Sequence, residues 1–166
     1  MNPKLEDSAT ANPNDKHLFI FKVIWIQLTL TVLIFAYLDY AQIQLITRAP
    51  ESAPLPETFR DVLLIISVFE LVMAFILPRI IYRKSLKSVA SASTGSLALS
   101  ADQIKKILPS YLVHLALIES VAIYGFIVGT SVLNVGNFWW FGGPALLFFI
   151  YAHPTPENLK RIVGIQ

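Results

Sequence analysis

Read for alternation of apolar and polar positions, the chain shows long uninterrupted apolar runs rather than the short amphipathic stretches of a soluble fold. Four such runs stand out, residues 17–38, 62–81, 111–133 and 138–152. The first three approach or exceed the roughly 20 residues that a helix needs to cross a hydrocarbon core of about 30 Å, and the fourth is shorter. Backbone polar groups in lipid must be satisfied within the segment, so all four runs predict helices rather than strands. The expected fold is all-α, a polytopic membrane protein built as a four-transmembrane-helix bundle. Residues 1–16 form a polar N-terminal tail, residues 17–152 the membrane domain, and residues 153–166 a C-terminal tail.

Punctuation between the runs supports this division. Pro50, Pro54 and Pro56 break the segment 39–61, which reads as an outer loop, and Thr58 is placed to cap the second helix. The segment 85–100 is rich in serine, and Ser100 with Gln103 matches a capping box, which predicts a short lead-in helix, 101–108, before Pro109. Gly142-Gly143-Pro144 permits a kink, a break or a close helix contact in the fourth run. Thr155-Pro156-Glu157 reads as an N-cap and first turn of a short surface helix ending near Val163.

Composition narrows the class. Hydrophobic residues make up 55% of the 166 and charged residues only 14%, too apolar for an ordinary soluble domain. The distribution of cations then sets an orientation. With both termini and the 83–110 loop on one side, that side holds Lys4, Lys16, Lys22, Arg79, Arg83, Lys84, Lys87, Lys105, Lys106, Lys160 and Arg161, against Arg48 and Arg60 on the other. The positive-inside rule predicts both termini in the cytoplasm, with the protein in an inner or plasma membrane and Trp139 and Trp140 at the outer interface. The first run is too long for a signal-peptide core and no small-residue cleavage site follows it, so an anchor is expected.

Two acids sit near the middle of apolar runs, Glu70 in the second and Glu119 in the third. An ionised side chain at that depth costs about 3 kcal/mol on insertion scales, which makes an intramembrane acid a functional hypothesis by default. Helical spacing puts Leu63, Ser67, Glu70, Ala74 and Leu77 on one stripe, and Ile118, Ala122, Gly125 and Gly129 on another, with Glu119 at its edge. Ser67, Ala74, Ala122, Gly125 and Gly129 are the small residues expected at helix contacts, the two glycines forming a GxxxG. Two carboxyls at similar depth on neighbouring antiparallel helices cannot both be charged, so one or both are expected to be neutral, with a proton, shared between them, or a cation as the occupant. The competing expectation is a structural or assembly subunit whose buried acids fasten helices together by hydrogen bonds.

Other chemistries find less support. The absence of cysteine removes disulfides and thiolate chemistry. No phosphate-binding glycine loop, Ser/His/Asp arrangement or metalloprotease histidine pair is present, so no enzyme, metal site or nucleic-acid interface is expected. His17, His114 and His153 fall toward the same ends of their helices, which leaves a His-bound cofactor as a minor reading.

The segment Ala116-Leu-Ile-Glu119-Ser-Val-Ala-Ile-Tyr124-Gly-Phe-Ile-Val resembles the carboxylate helix of the c subunits, or proteolipids, of rotary ATP synthases. The likeness is confined to this helix. It implies that Glu119 is an ion-carrying carboxylate, with Ser120 and Tyr124 at positions that hold the ion or fix the carboxylate. Val121 stands where sodium-binding members carry a hydroxyl, so the resemblance points to a proton ahead of sodium. The partners it implies are membrane lipid and other membrane subunits or further copies of the chain.

Overall fold

The computed structural model describes residues 13–46, 57–87, 101–132 and 135–164. Five helices make up the described residues: α1 (Pro13–Ile46), α2 (Glu57–Lys87), α3 (Ala101–Val132), α4 (Val135–Tyr151) and α5 (Pro156–Val163). Among these residues there is no strand, and the fold is all-α. Three of the helices are long and apolar enough to cross a membrane, over Leu18–Gln42, Glu57–Ser85 and Gln103–Ser131. The fourth helix, α4, has 17 residues, or about 25 Å at 1.5 Å per residue, a little less than a typical hydrocarbon core.

The helices are longer than the apolar runs that predict them, because a packed helix continues through polar residues at its ends. Residues 39–46, expected to begin the outer loop, extend α1 instead. The separate lead-in helix expected before Pro109 is the first part of α3, which passes through that proline without interruption. Proline in a helix costs the chain one backbone hydrogen bond, and the packed residues around Pro109 hold the helical path. The serine of the predicted capping box, Ser100, lies outside the described residues, as do residues 47–56 with the three loop prolines.

The core is organised around α3, which packs against α1, α2, α4 and α5. Its buried positions, among them Ile107, Tyr111, His114, Leu115, Ile118, Val121, Ala122 and Val128, form one broad stripe of about 140° at 100° per residue. On α2 the buried positions Leu63, Ser67, Ala74, Pro78 and Tyr82 make a single stripe, while Leu77 is only half-buried. Helix α1 runs parallel to α3: Phe21 packs on Tyr111 and Phe35 stacks on Phe126, each with ring centroids 5.1 Å apart. It is tied to α4 by the indole N–H of Trp25, which donates to the Phe149 carbonyl at 2.7 Å.

The two glycines of the GxxxG serve two different neighbours. A Cβ on Gly125 would lie 2.7 Å from Phe141 Cβ and 3.1 Å from the Phe138 carbonyl, so this glycine lets the backbones of α3 and α4 approach closely. A Cβ on Gly129 would lie 2.3 Å from the Asp39 carboxylate of α1. Gly142-Gly143-Pro144 leaves α4 helical throughout. At the far end, Thr155 caps α5 by accepting from the Asn158 N–H at 3.1 Å, and Gly164 closes it in the left-handed region at φ 75°.

Candidate functional site: a carboxyl held between two hydroxyls

Glu70 is half-buried on α2 where that helix meets α3. Two hydroxyls of α3 reach its carboxyl. Tyr124 donates to Oε1 at 2.9 Å, and Ser120 Oγ is in hydrogen-bond contact with Oε2. Four residues separate Ser120 from Tyr124, a little over one turn, so the two side chains stack on one face of α3 and grip the carboxyl from both of its oxygens. Ser120 Oγ also lies 2.8 Å from the carbonyl of Leu117 in its own helix. A hydroxyl carries one hydrogen, so Ser120 donates either to Glu70 or to the Leu117 carbonyl, and in the second case it can only accept from Glu70.

Glu119 takes a different direction. Consecutive residues on a helix are about 100° apart, so Glu119 and Ser120 leave α3 in different directions. Two turns beyond Glu119 on the same face of α3 is Phe126, which stacks on Phe35 of α1. Glu119 is half-buried, and among the described residues no hydrogen bond joins it to Glu70. The structure thus brings Glu70, Ser120 and Tyr124 together and sets Glu119 apart. Ala122, Gly125 and Gly129 are buried in helix contacts of α3, and Ser67 and Ala74 in those of α2.

Of the histidines, His114 is fully buried, its Nδ1 2.6 Å from the Ala74 carbonyl of α2. A carbonyl only accepts, so Nδ1 carries the hydrogen, and among the described residues Nε2 has no hydrogen-bond partner. His153 instead packs edge-on against Trp25, with ring centroids 4.8 Å apart. The His17 side chain lies outside the described residues. Among the described residues no group of three or more metal-ligating side chains converges.

Two buried polar groups escape a reading of the sequence by apolar runs. Asp39 falls at the end of the first run, where it reads as the start of a loop, yet it is fully buried on α1 with neither carboxyl oxygen hydrogen-bonded among the described residues. Ser110, beside Pro109, is likewise fully buried with an unpartnered hydroxyl. Extending the helical stripe of Phe21, Val32 and Phe35 by one further turn would have reached Asp39. Compared with family models, with curated proteins and with solved structures, the chain matches none of them.

Proposed function

We propose that this protein is a four-span membrane protein, α4 crossing as the fourth helix, in which the Glu70 carboxyl binds and passes on a proton within the membrane. The observation that carries the reading is the hydrogen-bond arrangement around Glu70, which is complete in either protonation state. With the proton bound, Oε2–H donates to Ser120 Oγ, Ser120 gives its own hydrogen to the Leu117 carbonyl, and Tyr124 donates to Oε1. With the proton gone, Ser120 turns its hydrogen to Oε2 and Tyr124 stays in place, so the carboxylate has two donors. The Leu117 carbonyl then retains its helix partner. A site that needs only a hydroxyl rotation between its two states is suited to reversible proton exchange, whereas a carboxylate without donors at this depth is costly.

The half-buried position of Glu70 adds to this reading, because an exchanging proton needs a way in from outside the bundle. The lipid-facing side of α2 exposes Ile65, Val68, Phe69 and Val72 around it, an apolar surface suited to lipid, to other membrane subunits or to further copies of the chain. The asymmetry of cations favours both termini on the cytoplasmic side. The likeness to the proteolipid helix fits in one respect: Ser120 and Tyr124 hold a carboxyl, here supplied by α2. Helix fastening by the same bonds is the competing reading, since Ser120 and Tyr124 also tie α3 to α2.

Dicyclohexylcarbodiimide separates the two, because it attacks protonated carboxyls in apolar surroundings. Modification mapped to Glu70, falling as pH rises, is the expected result in membranes. Glu70→Gln keeps the shape and the hydrogen bonds of the protonated acid without its titration, so it is expected to assemble normally and to lose proton flux in reconstituted vesicles. Unchanged flux in Glu70→Gln would leave fastening as the role of the site.

A further inference from the structure

Asp39 presents the opposite situation to Glu70. Its side chain is 0% exposed, and among the described residues neither oxygen has a hydrogen-bond partner. The space it occupies exists because residue 129 of α3 is glycine: a Cβ there would fall 2.3 Å from Oδ1, 2.7 Å from Cγ and 2.9 Å from Oδ2. The carboxyl is therefore pressed against the backbone of α3, continuing the parallel seam marked by Phe21 on Tyr111 and Phe35 on Phe126.

No cation faces this carboxyl among the described residues. The stretch of α3 from Ser120 to Val132 has no charged residue, and its one titratable side chain, Tyr124, donates to Glu70. Helix α4 has none either, and its tyrosine, Tyr151, lies at the opposite end. On α1 the neighbouring Tyr37 and Tyr40 point outward and are exposed. The nearest charges on α2 are at its start, where Glu57 is exposed and Arg60 is paired with Asp61 at 3.0 Å. An ionised carboxylate walled in without donors or a counter-charge carries a desolvation penalty of several kcal/mol. A protonated one avoids it and needs only an acceptor for its O–H. This chain repeatedly supplies one from the helix itself, as Thr29, Thr31 and Ser67 give their hydroxyl hydrogens to the carbonyls four residues back.

We propose that Asp39 is a second proton-binding carboxyl, seated on Gly129 at the α1–α3 seam, separate from Glu70. Ser120 and Gly129 are nine positions apart on α3, about 13.5 Å along the helix, so the two sites share no hydrogen bond. Asp39 is also three residues from the end of the membrane-crossing stretch Leu18–Gln42, close to one membrane surface, where a proton enters or leaves. The seam stays closed while the proton is bound. Its loss places a charge in the glycine cradle and brings water or a counter-ion between α1 and α3.

Infrared spectroscopy of the full chain in lipid tests this without depending on the Glu70 reading. Carboxyl-13C aspartate labelling shifts aspartate bands and leaves glutamate bands in place. At neutral pH the protonated-carboxyl band is expected to contain an isotope-shifted component, to keep it in Glu70→Gln and to lose it in Asp39→Asn. Gly129→Ala, whose added methyl displaces the carboxyl, is expected to move or abolish that component. The wild-type labelling decides even if Asp39→Asn does not assemble. A protonated-carboxyl band with no aspartate component at neutral pH, or one that survives Asp39→Asn, overturns the proposal. A component unmoved by Gly129→Ala overturns the seating on Gly129.

Discussion

The contact between Tyr124 and Glu70 can be weighed by a double-mutant cycle. Tyr124→Phe removes a single hydroxyl that spans α2 and α3 at 2.9 Å, and Glu70→Leu removes the acceptor while keeping apolar bulk. Hydrogen bonds between membrane helices measured in this way average about 0.6 kcal/mol and reach about 1.7 kcal/mol. The good geometry here argues for the upper half, a coupling of about 1 kcal/mol. Tyr124→Phe is thus expected to destabilise the wild-type protein by about that amount and to be nearly neutral in the Glu70→Leu background.

Glu70→Gln refines the cycle. Its amide carbonyl accepts from Tyr124 and its NH2 donates to Ser120, which reproduces the protonated acid. If Glu70 holds a proton at neutral pH, Tyr124→Phe costs the same in the wild-type and Glu70→Gln backgrounds, to within a few tenths of a kcal/mol. A carboxylate would make the wild-type bond charge-assisted and roughly twice as strong, so the two costs would differ. Reversible unfolding in mixed micelles, titrated with a denaturing detergent, gives the energies. Equal cost of Tyr124→Phe in the wild-type and Glu70→Leu backgrounds would refute the contact itself.

Three further outcomes follow from the packing, the C-terminal cap and the charge asymmetry. Gly125→Ala forces α3 and α4 apart by about 1 Å, because carbon atoms pack at about 3.5–4.0 Å and the new Cβ would start 2.7 Å from Phe141 Cβ, so a net loss of about 1–2 kcal/mol is expected in the same unfolding assay. Gly143→Ala, with nothing within 4 Å of the new methyl, is the control and is expected to stabilise by about 0.5 kcal/mol; the reverse order would contradict the close approach of the two helices. Thr155→Ala removes the cap of α5 and is expected to cost about 1 kcal/mol locally, seen as faster amide exchange in Asn158 and Leu159. In this cysteine-free chain, an impermeant thiol reagent applied outside cells is expected to label Ser52→Cys and to spare Ser93→Cys, and the opposite pattern would invert the proposed orientation.

What the sequence determined by itself is the helical class and the presence of helices long and apolar enough to cross a membrane. Apolar runs of bilayer length leave a backbone only the helix as a way to satisfy its own polar groups, and this is a local property that needs no tertiary information. The cap at Thr155 and the small-faced stripe Ile118, Ala122, Gly125 and Gly129 were legible for the same reason, since spacing along one helix fixes which residues share a face. Which neighbour each face meets is a matter of how four helices are arranged around α3, and no single run encodes that. Tertiary structure alone decided that Ser120 and Tyr124 serve the acid of α2 rather than the adjacent Glu119, because which side of α3 meets Glu70 is set by how α2 lies against it. It also decided that Gly129 makes room for Asp39, an acid that the end of an apolar run conceals, since burial there comes from α1 lying along α3 and not from its own neighbours in the chain.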